Sequence, residues 1–348
     1  MRNRQTELKT PDNGPTVRVT KLPDTSNVIV YIPTVNALEA TQVSIDSCLA
    51  QTRSTQCVVV DNASSDQSFQ RLIDIYGDLD RVTLVRNSHD LGRVGNWNRC
   101  LDIAESNGHT FVRFLFSGDE LLPKCIERCE EVLEEYPGVA ALAHDYLFAD
   151  HDRLRVSAMP LSGYLNPREV RALNLVQGGF LGSIVANVYS MSAVGKMRFN
   201  ELFVGKVDFD FAVLDGQSGF YLPEVLARAN IKSRRTFRKS LSLAIECEVS
   251  FNRSQWLERS VSSLSRDQYQ MGRSQIYLDF VRRGARYQEV SVLLSAVWCI
   301  TSSIFLRKPS AVLKKVLRKR IGNWNGSKFV ILASRNRAGA STEKGQPV

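Results

Sequence analysis

The sequence lacks an apolar leader. Its first residues are basic, but no apolar segment follows them, so no secretory signal is read and the chain is expected to stay in the cytoplasm. A convincing membrane span is also missing. The run of 17 uncharged residues from Val290 to Leu306 contains five Ser/Thr, short of the roughly 20 apolar residues that a spanning helix needs. A packed helix is expected there instead. The seven cysteines (Cys48, Cys57, Cys100, Cys125, Cys129, Cys247 and Cys299) are odd in number and scattered, which argues for buried thiols rather than a disulfide framework. Cys125 and Cys129 share a helix face, yet the sequence around them offers no second pair or His for a zinc site. Gly92-Arg93-Val94-Gly95 lacks the third glycine of a dinucleotide fingerprint, and no GxxxxGK[ST] phosphate loop occurs. No internal repeat is present, which excludes a solenoid.

Acidic residues are nearly absent from one region alone. Residues 307–348 carry eleven Lys/Arg and one Glu, a net of +10 in a chain of net +9. Residues 1–306 therefore sit near neutrality, and the basic balance describes a tail. Within it, Val312, Leu313, Val316, Leu317 and Ile321 form one helical face, and Lys314, Lys315, Arg318 and Lys319 fill the other. A basic amphipathic helix over 310–321 suits an anionic membrane surface. With no aromatic interleaving and no nucleic-acid motif, a nucleic-acid partner is not expected.

What is present is an ordinary globular composition, 43% apolar and 23% charged over 348 residues. Residues 1–25 have no apolar periodicity and read as a disordered lead-in. From Asn27 the pattern becomes strict. Asn27–Ile32, Cys57–Asp61, Val82–Val85 and Thr110–Phe116 are apolar runs of buried-strand type, separated by segments of helical spacing over 38–52, 66–76 and 96–106. Such alternation predicts an α/β fold with a doubly wound, mostly parallel sheet. A helix is expected over Leu121–Tyr136 and a strand over Val139–Phe148, with further helices over Pro167–Val176 and Val207–Leu214. An edge strand or turn is expected from Tyr221 to Ile231. Residues 26–245 form the α/β domain in this reading. A helical extension follows over 246–333, including helices at 254–283 and 287–306, and then a disordered tail over 334–348.

In an open sheet of this kind ligands sit at the carboxyl ends of the strands. Four apolar runs end there in small polar residues: Pro33-Thr34-Val35-Asn36, Asp61-Asn62-Ala63-Ser64-Ser65-Asp66, the loop from Asn87 to Asn98, and Ser117-Gly118-Asp119. Taken singly, each is ordinary turn chemistry. Their order and spacing together resemble the inverting family 2 glycosyltransferases, which have the GT-A nucleotide-sugar-binding fold. The match is carried by Val-Ile-Val-Tyr-Ile-Pro-Thr-Val-Asn (28–36), Ser-Cys-Leu-Ala-Gln-Thr (47–52) and Val-Val-Val-Asp-Asn-Ala-Ser-Ser-Asp (58–66). It continues through Leu-Gly-Arg-Val-Gly-Asn-Trp-Asn-Arg-Cys-Leu (91–101) and Phe-Leu-Phe-Ser-Gly-Asp-Glu-Leu-Leu-Pro (114–123).

The resemblance implies transfer of a sugar from a nucleotide-diphosphate donor, UDP- or dTDP-linked, onto a saccharide or lipid-linked acceptor. The enzyme would work at the inner face of a membrane in polysaccharide or glycoconjugate assembly. It implies a donor-contacting set of Pro33, Thr34, Asn36, Asp61, Asn62, Arg93, Asn96, Asn98, Ser117 and Asp119. Asp61 would accept the N–H of the base imide, Thr34 would line the base pocket, and Arg93 would meet the diphosphate. Asp208, in Lys206-Val-Asp-Phe-Asp210, aligns with the family's general base. Residues two apart on a helix do not share a face, so Asp210 is expected to be a cap or surface residue.

One departure stands out. The family's Asp-x-Asp positions are Phe116 and Gly118 here, and only the next acid, Asp119, remains. Farther on, Phe237 stands where a His often assists the metal. Two readings follow. Asp119, with Glu120, holds a weak Mg²⁺ or Mn²⁺. Alternatively the transfer is metal-independent, and Arg93, Arg235, Arg238 or Lys239 neutralises the diphosphate. The same losses also fit a degenerate member that binds a nucleotide sugar or a partner without catalysis.

Overall fold

The computed structural model describes residues 16–17, 26–150, 153–174, 179–200, 205–230, 265–267, 269–274 and 276. The helices expected at 287–306 and 310–321, the tail, and Arg235, Phe237, Arg238 and Lys239 lie outside these residues. Of the helix expected at 254–283, residues 266–267, 269–274 and 276 are helical.

The apolar runs form the strands β2 (Val28–Thr34), β3 (Cys57–Asp61), β4 (Val82–Arg86) and β5 (Phe111–Phe114). β2 and β3 are buried at every position, which is why they read as continuous rather than alternating patterns. Between them run α1 (Leu38–Leu49), α2 (Ser68–Tyr76) and α3 (Gly92–Ser106). α1 buries Thr41, Ser44, Ile45 and Cys48, one face at helical spacing. The strands pair in parallel in the order β4-β3-β2-β5. The chain thus leaves β2 toward one side of the sheet and returns through α3 to the other, creating a switch point between β2 and β5.

Beyond β5 the sheet is mixed. Its strands are β6 (Glu120–Leu121), β7 (Ala141–Asp150), β8 (Arg153–Ser157), β9 (Gly163–Leu165), β10 (Asn187–Ser190) and β11 (Gly219–Ala229). The full order is β1-β4-β3-β2-β5-β10-β7-β11-β6, with β8 on β7 and β9 on β11, where β1 (Thr16–Val17) is an antiparallel partner of β4. β1 lies within the stretch read as a disordered lead-in. The helices α4 (Cys125–Glu135), α5 (Pro167–Ala172), α6 (Met191–Val194) and α7 (Gly205–Leu214) complete the domain. α1, α2 and α4 cover one face of the sheet, and α3 with the helices after β9 covers the other. This is the α/β doubly wound architecture expected.

Three local expectations are corrected. α3 starts at Gly92 rather than Asn96, because Asp90 Oδ1 accepts the Gly92 N–H at 2.8 Å and opens the helix early. Arg93 therefore stands on a helical turn. The helix expected from Leu121 begins at Cys125, since Glu120 and Leu121 pair with β11. β11 itself is no edge strand: it lies between β7 and β6. Pro223 is tolerated inside it because the register with β7 jumps from Leu222 to Val225, and a bulge dispenses with the missing N–H.

A buried His109 follows α3. Its Nδ1 lies 2.8 Å from the Tyr31 hydroxyl, and burial lowers its pKa to about 4. The folded state keeps this ring neutral, whereas the unfolded chain protonates it near pH 6.5. Between those values the unfolded state binds more protons, so stability falls on acidification, by about 3 kcal/mol across the window. Urea unfolding at pH 7 and 4.5 checks this: His109→Asn should flatten the part of the decline that the ring causes.

Candidate active site

At the switch point, hydroxyls tie β2, α1 and the loop after β5 together. Thr34 Oγ1 lies 2.7 Å from Thr41 Oγ1, which lies 3.1 Å from Ser117 Oγ. One turn along α1, Ser44 Oγ donates to the Asp119 carbonyl at 2.8 Å and accepts the Gly118 N–H at 3.0 Å. Thr34, Ser117 and Asp119 are thus held in one network. Pro33, inside β2, lies beyond the last β2–β5 pair, Tyr31 with Phe114, so the sheet loses nothing on that side.

A second network holds the loops after β2 and β3. Asp61 is fully buried. Its Oδ2 accepts the Ser64 N–H at 3.0 Å and lies 3.5 Å from Arg86 Nε, and its Oδ1 accepts the Ser64 hydroxyl. Burial raises its pKa, against the lowering effect of the Ser64 hydrogen bonds and Arg86. These contacts make Asp61 the clasp of its own turn. Asn36 fastens the neighbouring loop: its N–H donates to Ser64 Oγ at 2.8 Å, and its Oδ1 accepts the Ser65 N–H at 2.8 Å. Asn36 and Ala63 both have positive φ, +48° and +55°. Ala63 has no side-chain group to favour that conformation, so the clasp must hold it, at a cost of order 1–3 kcal/mol.

Asn62 and Asn96 work inward from the same place. Asn62 Oδ1 accepts from Leu91 N at 2.9 Å and from Asn87 Nδ2 at 3.0 Å. Asn87 Nδ2 also donates to Asn96 Oδ1 at 3.0 Å, and Asn96 Nδ2 donates to the Val60 carbonyl at 3.0 Å. Both side chains are buried and shape the 87–91 loop. Asn98 takes a different partner: it exchanges two hydrogen bonds with the backbone of Phe199, at 2.9 and 2.8 Å.

Aromatic side chains occupy the Asp-x-Asp place. Phe116 stacks on Trp97 with centroids 4.9 Å apart and planes 20° apart. The exposed Arg93 sets its guanidinium carbon 5.1 Å from the Trp97 centroid. Trp97 also meets the Phe199 ring edge-on at 5.5 Å. Gly118 has φ +90°, and a Cβ there would lie 3.0 Å from Asn230 Nδ2, so a side chain at the second position would be strained and crowded. Asp119 is buried, and its Oδ1 accepts the Asn230 N–H at 2.7 Å. Glu120 pairs with Arg228 at 3.3 Å. A hard divalent cation wants several oxygen ligands. Among the described residues this loop offers one buried carboxylate that already accepts a backbone N–H and one that pairs with Arg228.

The base candidate is linked to the aromatic cluster. Asp208, half-buried on the first turn of α7, accepts from Asn200 Nδ2 at 2.9 Å, next to the Phe199 that Asn98 and Trp97 hold. Asp210 points elsewhere, as its spacing requires, but the surface position expected for it is wrong. It is buried, accepts from Tyr189 Oη at 2.7 Å and pairs with Lys206. Burial raises its pKa, opposed by Lys206 and Tyr189.

The fold also completes a cluster that the sequence left open. His144 on β7 joins Cys125 and Cys129 on α4, with ligand atoms within 4.8 Å of one another and all three residues buried. That spacing would suit a soft metal, but the space holds the fully buried Arg113. Its Nη2 lies 2.7 Å from His144 Nε2 and its Nη1 lies 3.9 Å from Cys129 Sγ. Among the described residues no carboxylate pairs with this guanidinium. Burial alone would raise the Cys125 pKa, but the hydrogen bond from Cys129, the Arg113 charge and His144 outweigh it and hold the thiol well below its ordinary value. The cluster holds a buried guanidinium among two thiols and an imidazole, and the Cys125 hydrogen bond with burial raises the Cys129 pKa while that of Cys125 falls. The Arg113 that interrupts its apolar run was its one visible sign in the sequence.

Among the described residues, no helix is long and apolar enough to cross a membrane. No curated protein sequence matches the chain. Solved structures share its fold at low identity. Residues 1–349 of S. aureus TarS match with 14% identity over 77% of this chain and 89% of that one, at a TM-score of 0.51. The same protein in complex with UDP-GlcNAc matches with 13% identity over 77% and 90%, at 0.53. The mannosyltransferase PcManGT from Pyrobaculum calidifontis, in complex with GDP-Man and Mn²⁺, matches with 13% identity over 94% and 92%, at 0.51. The sequence model described as glycosyl transferase family 2 matches residues 29–188, from β2 through β10. The chain thus has the GT-A fold, and its residues 29–188 match the family model of glycosyl transferase family 2.

Proposed function

We propose that the chain is an inverting glycosyltransferase. It moves a sugar from a nucleotide-diphosphate donor to a saccharide or lipid-linked acceptor, with Asp208 as the general base. The observation that carries this is the tether of Asp208: Asn200 donates to its carboxylate, and the adjoining Phe199 packs on Trp97, itself stacked on Phe116 just past β5. The acceptor hydroxyl loses its proton to Asp208 while its oxygen bonds the anomeric carbon. The carbon–oxygen bond to the diphosphate breaks on the opposite face, and the nucleoside diphosphate departs with the electron pair. Donors of this class are supported by the UDP-GlcNAc and GDP-Man held by the two structural relatives.

A panel of UDP-, dTDP- and GDP-linked sugars, scored for transfer and hydrolysis with the anomeric configuration read by NMR, tests the reading. Transfer with inversion is expected from one donor class. Binding without transfer or hydrolysis would favour the non-catalytic alternative, which the lost Asp-x-Asp carboxylates support. We further propose that the basic face of 310–321 holds the enzyme at an anionic membrane. The full chain should sediment with anionic vesicles, whereas a chain ending at Pro309 should stay in solution.

A further inference from the structure

We propose that this enzyme binds the diphosphate of its donor without a divalent cation, and that Arg93, mounted on the Trp97–Phe116 stack, supplies the counter-charge instead. The inference rests on the donor class proposed above, and it starts from the poor fit between the site and a metal. The first acidic position is filled by the Phe116 ring, stacked on Trp97. The second is Gly118, where the φ of +90° would strain any L side chain and a Cβ would crowd the Asn230 amide at 3.0 Å. The remaining acid, Asp119, is buried and receives the Asn230 N–H. Three separate features of the loop thus work against a hard-cation cage.

Those features leave the diphosphate charge to be met another way, and the aromatic stack shows how. Phe116 supports Trp97 from one ring, and the Arg93 guanidinium carbon lies 5.1 Å from the Trp97 centroid. A cation over a Trp face is attracted by the ring quadrupole. That attraction uses the face of the guanidinium, whereas phosphate oxygens are bound through the N–H groups on its edge. The same group can therefore be held by the stack and still fork onto a phosphate. On this account Phe116 is not a vacancy in a metal motif. It is the base of the mount that replaces the metal.

The test is calorimetric titration of UDP, and separately GDP, into the full chain in EDTA and then in excess Mg²⁺ or Mn²⁺. Affinity should change by less than about twofold between the two conditions, since the site has no carboxylate cage for the ion. Arg93→Ala should weaken binding by about tenfold or more, the loss of a charge-assisted fork. Arg93→Lys should fall between, because an ammonium lacks the planar fork. Trp97→Leu should weaken binding by about threefold to tenfold in EDTA through loss of the mount. If Trp97→Leu fails to fold, the exposed Arg93 variants carry the test.

Binding that appears only with Mg²⁺ or Mn²⁺, or an Arg93→Ala variant of unchanged affinity, overturns this inference and leaves the transferase reading standing. Binding in EDTA with no transfer from any donor overturns the transferase reading and leaves this inference standing. No binding of either nucleotide under any condition overturns both.

Discussion

Asp208→Asn should lower the rate of transfer by about 10²–10⁴-fold while leaving nucleotide binding unchanged, the range expected for loss of a positioned general base. The substitution is isosteric, and an amide oxygen can still accept from Asn200 Nδ2, so the local geometry is preserved. What disappears is the ability to take the acceptor's proton. Steady-state transfer assays paired with calorimetric nucleotide binding make the distinction. Full turnover in the variant would remove Asp208 from the role. The neighbouring carboxylate provides the contrast. Asp210→Asn leaves Lys206 without its buried ion-pair partner, so its main expected effect is on stability.

The second large effect lies away from the crevice. If Cys125, whose thiol pKa is lowered, is the counter-ion of the buried Arg113, Cys125→Ser should destabilise the fold by about 3–5 kcal/mol, the cost of leaving a buried charge unpaired. Adding Arg113→Met should recover most of that loss, since an apolar replacement of a buried pair is often close to neutral. The Cys125 contribution has a sign opposite to that of Cys129, whose pKa the Cys125 hydrogen bond and burial raise. The folded Cys125 thiol's pKa is lowered, so its contribution is fully present above the unfolded thiol value of about 8.5 and is lost as pH falls through the folded value. Urea unfolding of the parent chain should show stability rising toward that upper limit. The slope should be absent in Cys125→Ser. A Cys125→Ser variant as stable as the parent would show that the thiol is not the counter-ion.

The half of the fold that builds the nucleotide side was legible because its signals are local. β2 through β5 are buried on both faces and alternate with helices, so each apolar run carries its own evidence. The strands beyond β5 depend on partners distant in sequence. β10 lies between β5 and β7, and β11 between β7 and β6. The two-residue strand β6 has no pattern of its own to read. Pro223 argued against an interior strand until the bulge beside it was seen. At the candidate site, the strand-end motifs fall on turns at the carboxyl edge of the sheet, but types and spacing did not reveal orientation. Asn98 reaches the Phe199 backbone, Asp61 clasps Ser64, and Asp210 turns inward to Tyr189. The departure at Phe116 was visible as a loss. Its stacking on Trp97 was not, because nothing in the sequence pairs residues 97 and 116.

The placement of β11 bears on the order in which the molecule can assemble. The loop bearing Asp119 comes early in the chain, yet β6 beside it pairs with β11, and Asp119 receives its hydrogen bond from Asn230. A nascent chain that has emerged only as far as α7 already contains the candidate site residues from Thr34 to Asp208 that the structure describes. Residues 119–121 are then held by Ser44 and Ser47 of α1 but lack their β11 and Asn230 partners, and the sheet edges of β7 and β6 that β11 will fill stand open to wrong partners. The pairing of β6 and the Asn230 hydrogen bond to Asp119 therefore wait for the arrival of the last described strand.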